Sequence, residues 1–169
     1  MIISPGRESW VFLITSWQGV ISPRTTCAIG CRRRGASVAE FLLDTDAASR
    51  LMRAERSAIT NMHQSGAKIV SISSVTMAEL VYGARLREDN PSVMSAVRAF
   101  LARILIHPWD EAAAEAHARI RILAKRLGRS AGAFDIMIAA HADALGVTLV
   151  TNDAAIKNLA INGLKIVSW

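Results

Sequence analysis

Cysteine is almost missing from this chain: among 169 residues only Cys27 and Cys31 carry thiols. Two cysteines do not make a disulfide framework. A four-ligand zinc site would need two more ligands close by, and the nearest histidine is His63. Two free thiols in a cytoplasmic protein are therefore expected. Long apolar runs are missing too. Nothing approaches the roughly 20 residues that a membrane-spanning helix requires, so no membrane association is expected. The apolar stretch at residues 10–14 is short, follows Arg7 and Glu8, and leads into no clean small-residue cleavage pattern, so a secretory signal is not expected either. An acidic surplus is also absent, since the net charge is +6. Yet residues 1–38 hold five arginines against Glu8 alone, a balance of +4, which leaves +2 for residues 39–169. Bulk charge thus says little about what the folded part binds.

Regular periodicity is lacking in residues 1–38, which carry Pro5, Pro23 and the run Arg32-Arg33-Arg34. They are expected to be a poorly ordered basic extension, or a product of start-site choice, ahead of one domain at residues 39–169. There the pattern alternates. The apolar run Phe41-Leu42-Leu43 stops at Asp44-Thr45-Asp46 and reads as a buried strand over residues 40–43. Residues 47–64 are helix-compatible up to Gly66, and 68–73 form a second strand. Asn90-Pro91 opens a helix, 104–107 is a third strand, and a helix from about Asp110 runs to near Gly128. Residues 134–145 are apolar on nearly every side, a helix buried over most of its circumference and ended by Gly146. Strands at 147–150 and 164–167 complete an α/β pattern of five strands with intervening helices, which predicts a mainly parallel sheet covered on both faces.

Four carboxylates stand at the boundaries of these elements. Asp44 ends strand one, Asp153 follows strand four, Glu79 lies in the helix after strand two, and Asp135 lies in the first turn of the buried helix. In a sheet ordered 3-2-1-4-5, the carboxyl ends of strands one and four meet at the topological switch point, where ligands bind. Converging carboxylates repel one another unless a cation is present. Oxygen-only ligands favour Mg²⁺ or Mn²⁺ over zinc, and the matching chemistry is phosphodiester hydrolysis. Each residue also has a plainer reading. Thr76 and Glu79 have the spacing of a capping box, Asp135 suits the helix dipole, Asp46 suits a helix cap, and Thr151-Asn152-Asp153 is ordinary turn chemistry. Among the histidines, His141 reads as a packing residue, while His63, His107 and His117 show no partnering pattern.

Four segments together carry a family resemblance: Phe41-Leu42-Leu43-Asp44-Thr45; Ile72-Ser73-Ser74-Val75-Thr76-Met77-Ala78-Glu79-Leu80-Val81-Tyr82-Gly83; Asp135-Ile136-Met137-Ile138-Ala139-Ala140-His141-Ala142; and Leu149-Val150-Thr151-Asn152-Asp153. In this order they resemble the motifs of the PIN-domain family and, within it, the VapC toxins of type II toxin–antitoxin systems. The resemblance spans residues 40–169. It implies a three-layer fold and a Mg²⁺-dependent endoribonuclease acting on tRNA or ribosomal RNA, dimeric, and inhibited by a cognate VapB antitoxin. It places Asp44, Glu79, Asp135 and Asp153 as the acidic quartet, with Asp44 and Asp135 as direct metal ligands and Glu79 and Asp153 assisting directly or through water. Thr45 and Thr151 would supply hydroxyls beside them.

Two departures bear on this. The family usually has asparagine where Asp46 stands, and residues 1–38 have no counterpart in a typical toxin. Two rival readings also remain. Asp44-Thr45-Asp46 resembles the first motif of haloacid dehalogenase-type phosphatases, although Ala47-Ala48 replace the expected Gly and Thr and no lysine lies between Lys125 and Asp153. The other is an RNA- or antitoxin-binding module that kept the fold and lost turnover.

Overall fold

The computed structural model describes residues 39–87, 89–159 and 161–169; the expectations for residues 1–38, including both cysteines, lie outside them. Five parallel strands form one sheet: β1 (Glu40–Leu43), β2 (Ile69–Ser73), β3 (Leu105–His107), β4 (Thr148–Val150) and β5 (Ile166–Val167). Their order is β3-β2-β1-β4-β5, the order on which the expected convergence of the carboxylates depends. The helices are α1 (Thr45–Met52), α2 (Arg56–Gln64), α3 (Ser74–Arg85), α4 (Pro91–Leu101), α5 (Glu111–Arg126), α6 (Ala133–Leu145) and the short α7 (Ala154–Asn158).

β1 is central, and successive residues on a strand face opposite sides. Phe41 and Leu43 accordingly enter one core with Leu51, Met62, Val70, Ile72 and Val97. Leu42 enters the other with Ile120, Ile138, Leu149 and Ile156. A strand buried on both faces must be apolar at consecutive positions, which is why β1 reads as a run rather than an alternation. The first carboxylate after that run falls at the carboxyl edge between β1 and β4, where the Asp44 N–H donates to the Val150 carbonyl at 3.0 Å.

Three local expectations are corrected. Residues 47–64 form two helices rather than one, because Ala54 adopts φ 58°, a left-handed conformation that a continuous helix does not tolerate. Thr76 and Glu79 form no capping box: α3 starts three residues earlier than that box implies, with Ser73 as its cap accepting the Val75 N–H at 3.0 Å. Thr76 is buried inside the helix, and its hydroxyl donates to the Leu43 carbonyl at 3.4 Å. Asp46 is not a cap either. Asp44 caps α1, and Asp46 lies exposed in its first turn. The helix α7 was not anticipated, since five residues are too few for a periodic signal.

Candidate active site

Each cleft carboxylate is placed by the start of a helix. Asp44 is the N-cap of α1, and its Oδ1 accepts the Ala47 N–H at 2.6 Å. Asp153 is the N-cap of α7, with Oδ1 accepting the Ala155 N–H at 2.7 Å. Asp135 occupies the third position of α6 and its carboxylate accepts a hydrogen bond from the backbone N–H of Gly132, the cap of that helix. The reach back from third position to cap is half of a capping box. It requires glycine here for a steric reason, since a Cβ on residue 132 would lie 2.4 Å from Asp135 Oδ2.

These three acids, with Thr45, Asp46 and Asn152, line one cleft of about 420 Å³ at the carboxyl edge of β1 and β4. Glu79 does not line it directly. It is joined to it through Thr45, whose hydroxyl donates to Glu79 Oε2 at 2.5 Å. Thr151 is fully buried; its Oγ1 accepts the Asp153 N–H at 3.0 Å while its hydroxyl hydrogen-bonds the Asp44 carboxylate. Both threonines therefore serve as orienting hydroxyls. A further tie was not anticipated: Asn152 Nδ2 (3.0 Å) and Arg50 Nη1 (2.5 Å) both donate to the carbonyl of Trp169, whose ring packs on Phe41 at 5.4 Å. Arg50 also donates to Glu55 Oε2 at 2.7 Å and to Ser57 Oγ at 2.9 Å, so the rim that bears Asn152 and Asp153 is fastened to α1 and α2. The residues involved lie up to 119 positions apart, and no local pattern signals such a contact.

The electrostatics are those of unneutralised repulsion. Burial pushes the Asp44 carboxyl above the ordinary aspartate range. The charges of Asp46 and Asp135 push it further, against hydrogen bonds from Thr151 and Ala47. Burial likewise raises Asp135, with the charge of Asp153 adding to it and the Gly132 N–H opposing. Such a cleft attracts a cation. Among the described residues no group of three or more His, Cys, Asp or Glu side chains is disposed to hold a metal ion by itself. A cation here would be held through one or two carboxylates and its own waters, as hydrated hard cations are. Among the described residues no lysine lines the cleft, which does not favour the phosphatase reading.

The histidines find partners that their spacing in sequence hides. His107 Nε2 lies 2.7 Å from Glu40 Oε1, and the ring of His117 meets Trp109 edge-on at 5.9 Å. Burial would raise the Glu40 carboxyl, but the hydrogen bond and charge of His107, aided by Ser71, bring it below the usual range. His141 is a buried packing residue as expected, with Nδ1 2.9 Å from Ser73 Oγ.

Comparison with known proteins fits this geometry. The PIN domain family model matches residues 41–162. The chain is 32% identical over 130 residues to the tRNA(fMet)-specific endonuclease VapC of Shigella flexneri, covering 77% of this chain and 98% of that protein. The structure of DNA-bound VapBC from Salmonella typhimurium superposes with a TM-score of 0.69 at 30% identity, covering 78% of this chain and 98% of the other. VapBC2 of Rickettsia felis, bound to a DNA fragment from its promoter, gives a TM-score of 0.69 at 26% identity over 77% and 98%. An acidic cleft at the switch point of a 3-2-1-4-5 sheet and a family match over most of the chain lead to one assignment: the chain belongs to the PIN domain family, among its VapC-type members.

Proposed function

We propose that this chain is the toxin of a VapBC-type pair, an endoribonuclease that hydrolyses phosphodiester bonds in RNA of the tRNA or ribosomal class and is held in check by a VapB-type antitoxin. The observation that carries this reading is the convergence of Asp44, Asp135 and Asp153 in one cleft, with the first two carboxyls raised by burial and then by neighbouring carboxylates, Asp46 and Asp135 for Asp44 and Asp153 for Asp135. Asp44 and Asp135 are the groups to hold Mg²⁺ or Mn²⁺, with Asp153 and Glu79 acting directly or through water. When bound, the cation lowers the pKa of a water molecule and stabilises the charge that develops on the phosphate oxygens.

The protein's own residues do the rest. Helix-start N–H groups hold the carboxylates of Asp44, Asp135 and Asp153 in fixed orientations, so little reorganisation is needed during reaction. Thr45 holds Glu79 with one oxygen engaged, leaving the other to orient an attacking water or accept its proton. RNA approaches a negatively charged cleft, so the phosphate enters only where that charge is neutralised, and cleavage should require a divalent ion. Discrete cuts in a mixed tRNA and ribosomal RNA pool, dependent on Mg²⁺ or Mn²⁺ and abolished by EDTA and by Asp44→Asn, are the expected result. Metal-independent cutting, or full activity in Asp44→Asn, overturns the reading. Co-expression with the cognate VapB-type antitoxin should suppress the cuts, and size measurement of the free protein should give a homodimer.

A further inference from the structure

Two of the proposed working carboxylates sit on helices that belong to different crossovers, Glu79 on α3 and Asp135 on α6, and these helices pack against each other. A single buried hydrogen bond joins the two: His141 Nδ1 to Ser73 Oγ at 2.9 Å, with both residues essentially inaccessible to water. Ser73 Oγ already accepts the Val75 N–H at 3.0 Å as the cap of α3, so its hydroxyl proton is free to donate. One of the two groups donates and the other accepts, and with either imidazole tautomer the bond joins Ser73 to His141.

The imidazole is kept neutral by its surroundings: burial first, then the charge of His107, against Asp110, bring its pKa down to about 4. Its plane is set from two sides, by His107 at 6.1 Å and Trp109 at 5.6 Å, both edge-on. These neighbours are themselves fixed. His107 is held by Glu40, which also accepts from Ser71 at 3.0 Å, and the Trp109 N–H donates to Ser74 Oγ at 3.0 Å. The start of α3 is thus pinned at two adjacent serines, one to α6 and one to the segment after β3.

We propose that His141 is a positioning residue whose hydrogen bond to Ser73 sets the separation of Asp135, in the cleft, from Glu79, which reaches it through Thr45. The inference rests on the reading of these two acids as part of the working site. Each lies six residues along its helix from the joint, about 9 Å at 1.5 Å per residue. A rotation of about 10° at the joint therefore moves either carboxylate by about 1.5 Å, and displacements of about 1 Å at a reacting centre can cost about 10²-fold in rate.

The test compares His141→Phe with His141→Asn. Phenylalanine keeps a ring against His107 and Trp109 and removes the ring nitrogen that meets Ser73, leaving Ser73 to cap α3. Asparagine returns a polar atom near the Nδ1 position. The expected result is a kcat about 10²-fold lower in His141→Phe with KM within about threefold of wild type, Mn²⁺ affinity about tenfold weaker by titration, and recovery of most of both losses in His141→Asn. A His141→Phe protein that melts earlier but keeps kcat and Mn²⁺ affinity within twofold overturns the proposal, as does an Asn variant no better than Phe. Should His141→Phe fail to fold, Ser73→Gly cuts the same bond at small cost as a cap, and the same two criteria apply to it. Mn²⁺ affinity is read without RNA. Wild type that binds Mn²⁺ and cuts no RNA therefore removes the nuclease reading, while the affinity comparison still decides the role of His141.

Discussion

Substituting Gly132 by alanine separates site geometry from fold stability. Gly132 has φ −57° and ψ 149°, a conformation open to any residue, so the backbone needs no glycine there. The added Cβ would stand 2.4 Å from Asp135 Oδ2 and 3.3 Å from its Cγ, both atoms of one side chain and neither of them backbone. The side chain of Asp135 must therefore swing away and give up the Gly132 N–H. Losing that bond costs about 0.5–1.5 kcal/mol, and alanine is a poorer N-cap than glycine by about 1 kcal/mol. Reduced freedom of the unfolded chain returns about 0.4–1 kcal/mol. The net loss is about 1 kcal/mol, a small part of the roughly 5–15 kcal/mol that holds a domain together. Thermal unfolding should shift down by only a few degrees. RNA cleavage should fall about 10²-fold, because the displaced carboxylate sits at the reacting centre. Undiminished cleavage would refute the placement of Asp135, and a collapse in stability would refute the claim that the clash is absorbed by its side chain.

Other perturbations test neighbouring points. Asp44→Asn keeps a cap of equal quality for α1 and removes one of the repelling charges, so it should fold at least as stably as wild type while losing metal-dependent cleavage; circular dichroism melts and gel assays read the two. Asp44 and Asp135 have folded pKa values above the unfolded 3.8, so their contribution to stability is fully present below 3.8 and is lost as pH rises through the raised values; metal-free protein should gain from these two groups on acidification toward pH 4, and Asp44→Asn should show a flatter profile. Mg²⁺ should raise the melting temperature above that pH, by about 1.4 kcal/mol of stability at ten times its dissociation constant, and a melt unchanged by Mg²⁺ would count against the cation. Deleting residues 1–38 should leave a cooperatively unfolding domain, since residues 41–169 hold two cores of buried side chains on the two faces of the sheet; a non-cooperative melt would contradict that boundary.

How much of this was legible in the sequence depended on the range of the interactions. β1 and the burial of α6 were readable because each is a local pattern, an unbroken apolar run in one and apolar residues all round in the other. The strand order was not readable from any local pattern: the expected convergence of the carboxylates was conditional on a 3-2-1-4-5 sheet, and the structure has that order. The break at Ala54 was not readable, because alanine favours helix and its left-handed turn is imposed by the packing of two helices around it. The pairing of His107 with Glu40 spans 67 residues, and the tie from Arg50 to Trp169 spans 119. Thr76 and Glu79 misled for the opposite reason: the local motif was present, but Ser73 ends β2 at a point where capping by its hydroxyl starts the helix earlier.

The plain and the functional readings of the cleft acids do not compete. Asp44 and Asp153 are helix caps, and Asp135 reaches back to the cap of its helix, so each is held by an N–H at a helix start. A helix start carries partial positive charge, worth about 0.3–1 kcal/mol to a nearby carboxylate. Three such contacts offset part of the repulsion that would otherwise splay the side chains or keep them protonated. Capping uses one oxygen of Asp44 and one of Asp153, leaving the second of each for the cleft. The sheet contributes by ending β1 and β4 side by side, so that the α1 and α7 starts face one opening. A cap substitution that preserves helix stability therefore need not preserve the site. Asp153→Ser should cap α7 as well as aspartate does, yet leave the cleft one charge short and weaken Mn²⁺ binding. Unchanged Mn²⁺ affinity in a stably folded Asp153→Ser protein would show that Asp153 serves α7 alone.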